Sequence, residues 1–345
     1  EIMEAIEAIG GSVEAYAGNN SFGLNIEVLN QDVKFGLDLL RETLRFPSFP
    51  STEMERERQV QMAGIRAQKD QLLGRCFKLM KKGLFGEKGY GLSNAGEESS
   101  VQSLSIEQIK SHHGRLVKPG NQVLSIFGDI DIEQVKKELS NLWEDSSESS
   151  MIELPQSPSE TRVETLALSE TCDKKQSVVV FGFPGTTFFD KERHALDLLQ
   201  ETCSDLGSRL FMRIRDELGL AYYVGAQHMP GIVRGYFGFY AGTSPEHVEQ
   251  VKEEFKIQIN KIKSEGITQQ ELDRSKAKML GQKQIARQDL GHLAMASALD
   301  ELYGLGFQHP LEEDAAIRAV SLEDVQKAAE KIFDLENSTV AVVGP

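Results

Sequence analysis

Several absences bound the function of this 345-residue chain before any motif is read. Cysteine is scarce: Cys76, Cys172 and Cys203 are odd in number, far apart and not in a C-x-x-C pair. That excludes a disulfide framework and a cysteine zinc cluster. No apolar run approaches the roughly 18 residues of a membrane-crossing helix, and no signal peptide is visible, so the chain reads as soluble. Positive charge is short, with 38 Lys and Arg against 53 Asp and Glu, a net charge of −15. This argues against nucleic acid as a main partner and modestly favours cationic ligands. Seven histidines are present: His112, His113, His194, His228, His247, His292 and His309. None forms H-x-x-E-H or H-E-x-x-H, the patterns that set two imidazoles one helical turn apart. His112 and His113 are adjacent and point about 100° apart on a helix, which suits no chelate. All seven read as surface or structural, so the sequence assigns this chain no metal ligand and no catalytic residue. A natural start is also lacking. Glu1-Ile2-Met3 lies inside a helix pattern, so the chain reads as N-terminally truncated, and its compartment is not legible.

What is present is ordinary globular composition, 40% hydrophobic and 26% charged, at a length that predicts about two domains. Helix patterns cover Glu1–Ile9, Gln31–Arg45, a long stretch from Ser51 towards Gln68, and Ile132–Leu142. Strand patterns cover Ser12–Ala17, Phe22–Leu29 and Gln122–Phe127. Gly83–Gly96 is glycine-rich and loop-like. Residues 146–160, rich in Ser, Glu and Pro, read as a linker. Beyond it, strands are expected near Thr161–Leu168, Gln176–Phe183, Val233–Ala241 and Ser338–Val343. Helices are expected over Lys191–Leu206, from Ser244-Pro245 to about Ser264, and from Thr268 unbroken to the Leu290s. Capping boxes open at Ser105-x-x-Gln108, Thr268-x-x-Glu271 and Ser321-x-x-Asp324.

The boxes at Ser105 and Ser321 are 216 positions apart, as are the strand ends Gly128 and Gly344. In both places a capped helix leads to a hydrophobic strand ending in glycine. Two copies of one unit follow, the first incomplete. Strand pairs followed by runs of helices favour an α+β layer with an antiparallel sheet over a doubly wound one.

The stretch Ser208–Val224, SRLFMRIRDELGLAYYV, organises the second copy. Leu210, Phe211, Ile214 and Leu218 keep helical spacing up to Gly219, and a β-prone run, Ala221–Val224, follows. Arg215 offers a forked cation and Tyr222 a phenol; together they suit a peptide carbonyl or a carboxylate. The run R-L-F-x-x-I-R-x-x-x-G-L-A-Y-x-V resembles the C-terminal signature of the pitrilysin/insulinase-type zinc metallopeptidases, relatives of the mitochondrial processing peptidase. In that family zinc sits in the first half on H-x-x-E-H and a distant Glu, and an Arg and a Tyr of the second half bind substrate backbone. By the resemblance Arg215 and Tyr222 are the substrate-binding pair. Glu55-Arg56-Glu57-Arg58-Gln59-Val60 resembles the family's E-R-E-R-x-V, with the third zinc ligand expected seven residues beyond the second Glu. That position is Gly64, a degenerate ligand site. Gly10-Gly11-Ser12-Val13-Glu14-Ala15 departs likewise from G-G-S-x-N-A. On the helix where the repeat sets the zinc motif, His194-Ala195-Leu196-Asp197-Leu198 lacks the second histidine.

The resemblance therefore implies two homologous processing-peptidase-like domains, each an antiparallel sheet covered by helices. These are residues 1–145, truncated, and 161–345, which carries Arg215 and Tyr222. It implies the non-catalytic half of a zinc metallopeptidase, forming a chamber wall and binding peptide, with strand addition after Gly219 as a further contact. A zinc-bearing catalytic half, fused or separate, would supply the zinc that this chain is expected not to hold; a dimer is possible. Three rivals stand beside this reading. They are an inert structural scaffold, an active peptidase with its motif in a missing N-terminal segment, and a stand-alone peptide-binding protein.

Overall fold

The computed structural model describes residues 2–143 and 165–345. The expected linker, residues 146–160, lies outside the described residues. Two compact units are built, and neither is continuous in sequence. One comprises Glu1–Met62, Glu98–Leu154 and Lys283–Glu312; the other comprises Ala63–Glu97, Pro155–Gln282 and Glu313–Pro345.

The second unit is built on a five-stranded sheet ordered β3-β7-β4-β6-β5. Its strands are β3 (Leu166–Thr171), β4 (Ser177–Pro184), β5 (Tyr223–Met229), β6 (Tyr236–Thr243) and β7 (Thr339–Gly344). All neighbours are antiparallel except β3 and β7, which are parallel, so the sheet is mixed. Central β4 reads SVVVFGFP, apolar at almost every position because both faces are covered. Val179, Phe181 and Phe183 point to one face, with Phe237 and Phe239 of β6. There they meet Phe255 of α9 (Val248–Glu265), residues of α8 (Arg193–Ser204) and α13 (Leu322–Ile332), and Phe333. Val178 and Val180 point the other way, to Cys76, Phe77 and Met80 of α4 (Leu72–Phe85). Glycines let α4 lie close. Gly182 and Gly238 are opposite each other in the β4–β6 register. A Cβ at Gly182 would stand 2.3 Å from Met80, and one at Gly238 3.1 Å from Phe77. On the helix, a Cβ at Gly83 would stand 2.5 Å from Thr339.

The first unit holds a two-stranded sheet, β1 (Ser12–Ala17) and β2 (Phe22–Glu27). A hairpin alone is marginal in water; here helices cover both faces. Gly36 of α2 (Val33–Arg45) lies against Ile26 and Val28, while Gly291 of α11 (Leu290–Leu302) lies against Asn25 and Glu27. The Ser21 hydroxyl bonds the Tyr303 phenol at 2.7 Å. The repeat makes α11 the counterpart of α4, since Leu72 and Gln288 are 216 positions apart. So α4, from the first copy, lies in the second unit, and α11, from the second copy, lies in the first. The remaining helices are α1 (Ile2–Glu7), α3 (Ser51–Gln68), α5 (Glu98–Ser103), α6 (Ile106–Leu116), α7 (Ile132–Trp143), α10 (Gln269–Ala286) and α12 (His309–Ala319).

The three capping boxes form as expected. Two expectations are corrected. Residues 122–127 form no strand among the described residues. Their counterpart β7 pairs with β3 and β4, and no counterpart of either lies within residues 1–145, so the segment lacks a ladder partner. The helix from Thr268 is not continuous either. It ends at Ala286, and Asp289 caps a new helix by accepting from the His292 amide at 2.7 Å.

A buried polar network fixes β5 to α8. The His228 side chain is fully buried; its Nδ1 meets Asp197 Oδ1 at 2.7 Å and its Nε2 meets Thr186 Oγ1 at 2.9 Å. Burial alone would push the Asp197 carboxyl up. His194 and His228, with the positive charge of Arg193, outweigh that and hold it well below the usual carboxylate range. A depressed carboxyl stabilises the fold above its unfolded pKa, and that contribution is lost as pH falls through the folded value. Asp197→Asn is therefore expected to cost about 3 kcal/mol at pH 7. The deficit should narrow as pH falls below about 4. Urea unfolding from pH 7 to pH 3.5 checks this; a pH-independent deficit contradicts it.

The interleaving yields a second expectation. Residues 161–345 expressed alone lack α4 and so leave Val178, Val180, Ala341 and Val343 bare. Losing Cys76, Phe77 and Met80 removes on the order of 5 kcal/mol, against a total of roughly 5–15 kcal/mol for a domain. That fragment should bind a hydrophobic dye and show no cooperative thermal transition by circular dichroism, whereas the full chain shows one.

Candidate functional site

The segment from Ser208 to Tyr222 is tied down on one side and left open on the other. Arg209 donates from Nε and Nη2 to the Glu271 carboxylate at 2.9 and 2.6 Å. That carboxylate also accepts from the Thr268 amide at 2.7 Å, at the start of α10. Burial would raise the Glu271 carboxyl, but Arg209 and Thr268 hold it below its ordinary value. One turn on, Arg213 donates from Nε to Glu254 of α9 at 3.2 Å and from Nη1 to Glu217 at 2.8 Å.

Between these anchors the backbone widens into a π-helical turn, Phe211–Glu217, where the sequence pattern predicts an ordinary helix. Its end explains the widening. The Leu218 amide bonds the Arg213 carbonyl and the Leu220 amide bonds the Ile214 carbonyl, at 3.2 and 2.9 Å, around Gly219 at φ +63°. Glycine takes that left-handed conformation without a Cβ penalty. Only Ile214 of the turn is buried. Arg215 is exposed, its guanidinium stacked 4.6 Å from the Phe211 ring centroid. Unlike Arg209 and Arg213, it has no carboxylate partner among the described residues. Tyr222 follows the turn with its amide bonded to the Gly242 carbonyl at 2.8 Å and its side chain 52% exposed. The two residues named from the sequence therefore flank one turn of one unit. Both present unengaged donors to solvent: a fork of five N–H groups and a phenol.

The residues that sequence reasoning missed lie on α8. Asp197, Gln200 and Ser204 make a polar stripe at helical spacing on a helix whose other inward residues, Thr202 apart, are apolar. Ser204 Oγ accepts from the Ala226 amide at 3.1 Å and donates to the Ala226 carbonyl at 2.8 Å. Gln200 Oε1 accepts from the His228 amide at 2.6 Å. The spacing was visible in the sequence; its target, the edge of β5, was not.

The position that the resemblance aligns with the distal zinc ligand is Gly64. Gly64 is exposed on α3, offers no ligand atom, and has nothing within 4 Å of where a Cβ would stand. His194, on the helix aligned with the zinc motif, lies 3.7 Å from Asp197. The His309 Nδ1 and the Asp300 carboxylate are hydrogen-bonded at 2.6 Å, and with Glu313 they form a group of potential metal ligands unrelated to the positions the resemblance aligns with the family's zinc. A catalytic zinc wants three protein ligands and an open position, so no zinc step is derived for the aligned positions. Among the described residues no helix is long and apolar enough to cross a membrane.

The chain is similar to several known proteins. The chain is 24% identical to an uncharacterized zinc protease of Rickettsia bellii, over 100% of this chain and 83% of that protein. It is also 24% identical to a protein of Helicobacter pylori named non-peptidase homolog YmxG, covering 94% of this chain and 77% of the relative. A solved protease structure from Helicobacter pylori superposes with a TM-score of 0.87 at 21% identity, covering 100% of this chain and 85% of that one. A solved peptidase M16 inactive domain from Pseudomonas fluorescens gives 0.85 at 18% identity, covering 100% and 83%. Residues 1–96 match the insulinase (peptidase family M16) model, and residues 103–279 match the peptidase M16 inactive domain. The chain belongs to the insulinase-type peptidase family M16 and carries that family's inactive domain.

Proposed function

We propose that this chain is the non-catalytic half of a zinc metallopeptidase, forming part of the chamber wall and binding peptide opposite a zinc-bearing half. The observation that carries the reading is a contrast on one chain. The distal-ligand position is a bare glycine, Gly64, while Arg215 and Tyr222 keep exposed, unengaged donors beside a well-anchored turn. Arg215 and Tyr222 donate to the substrate carbonyl next to the scissile bond. They would polarise it and fix its orientation, while zinc held by a partner half would supply the activation of the attacking water. This chain supplies orientation and charge; the partner supplies the nucleophile.

Losing a charge-assisted hydrogen bond of this kind costs about 1.5–3 kcal/mol, or roughly 10- to 100-fold in rate. Arg215→Ala is expected to lower kcat/KM of the assembled peptidase by that factor while leaving the urea midpoint of this chain unchanged. Unchanged cleavage of a quenched fluorescent peptide would sink the role. Metal analysis provides a second check. Zinc and cleavage should appear only when a second half is present. Stoichiometric zinc on this chain alone would overturn the non-catalytic reading, and neither zinc nor cleavage in any assembly would point to a structural scaffold.

A further inference from the structure

A strand at a sheet edge normally offers peptide a row of free backbone groups, and β5 is the edge of its sheet. In an antiparallel pair, alternate residues turn their amide and carbonyl away from the partner strand. On β5 the bonds of Ala226 and His228 identify that outward row as Val224, Ala226 and His228. None of the three offers peptide an open edge. Val224 is buried, at 6% exposure. The Ser204 hydroxyl both accepts from the Ala226 amide and donates to its carbonyl. The His228 amide is held by Gln200 at 2.6 Å. The approach to the strand is closed as well. The Leu220 carbonyl accepts from Thr243 Oγ1 at 2.5 Å, and the Leu220 and Tyr222 amides are bonded to Ile214 and Gly242.

Resting on the reading of Arg215 and Tyr222 as the peptide-binding pair, we infer that this unit holds a peptide at one point by side chains. Gln200 and Ser204 exclude strand addition along β5. What remains for a ligand is the Arg215 fork and the Tyr222 phenol. Both are donors, so the group recognised is a main-chain carbonyl oxygen. The amide hydrogens of the ligand go unused. The substrate class that follows is broad: peptides presenting one accessible carbonyl, whatever their flanking conformation, including backbones alkylated on nitrogen. An open edge would instead demand an extended segment with free N–H groups at alternate positions. Gln200 and Ser204 are thus specificity-determining residues that touch no substrate. They set what the edge refuses.

The test pairs a binding scan with hydrogen exchange. A fluorescein-labelled, lysine-containing nonapeptide is titrated into the full chain by anisotropy, alongside a series N-methylated at one amide at a time. Affinity is expected to stay within about twofold across the series and to fall tenfold or more in Arg215→Ala. Losses of fivefold or more at alternating N-methyl positions would overturn the inference; if Arg215→Ala still weakened binding, the reading beneath it would stand. A flat series with no effect of Arg215→Ala would overturn both. Independently of any ligand, the Ala226 and His228 amides should be protected in the free chain. The amide of Ala226 should exchange at least tenfold faster in Ser204→Ala, and that of His228 in Gln200→Ala. Fast exchange of either amide in the unaltered chain would mean the edge is open and the inference wrong.

Discussion

The five-stranded sheet of the second unit has two apolar faces, and helices local in sequence cover only one. The other is closed by α4, carried in the first half of the chain, whose Phe77 and Met80 bury against Val178, Val180 and the glycine pair Gly182 and Gly238. The first unit is finished in the reverse sense by α11. Baring that sheet face removes a large share of a domain's net stability, so the exchange makes each fold depend on the other half of the sequence. The glycines follow from it. They weaken a strand on their own account and are useful only because a helix must come within van der Waals distance of the sheet.

A second requirement, that buried polar side chains find partners, shapes one face of α8. This helix packs its apolar residues into the core, so the stripe Asp197, Gln200 and Ser204 has to find partners or destabilise the fold. Here the polar groups are spent on protein: Asp197 on His228, Gln200 and Ser204 on the backbone of β5.

Local signals were legible in the sequence where local physics decides. The boxes at Ser105, Thr268 and Ser321 close the hydrogen bonds their residue types call for, and β1, β2 and α3 follow from alternation and period. The 216-residue offset was legible from Ser105 and Ser321, but that it makes α4 and α11 counterparts emerged only once the structure separated α11 from α10. Non-local decisions were not legible. Residues 122–127 have the composition of a strand, but a strand is made by its neighbours. Asp289 lies inside an apparently continuous helical pattern, yet its side chain does better as a cap than in mid-helix. The turn at Phe211–Glu217 keeps helical spacing and still widens, because its geometry is set by how the chain leaves at Gly219. His228, read from the sequence as surface or structural, is structural, and its partners could not be named because they are 31 and 42 positions away.

The case for Arg215 rests finally on its neighbours. Acids outnumber bases in this chain, 53 to 38, so a guanidinium is not left alone for want of carboxylates. Arg209 and Arg213, within two turns on the same segment, each hold one or more at 2.6 to 3.2 Å. Those contacts fix the segment to α9 and α10 and leave Arg215 directed outward, braced only by Phe211. A stacked guanidinium loses little further freedom when it binds a planar acceptor. On the proposed reading, with the β5 edge closed, the acceptor comes to the side chains. The sheet would then give rigidity, α8 would remove the competing mode of binding, and two donors on an anchored turn would be the contact that is left.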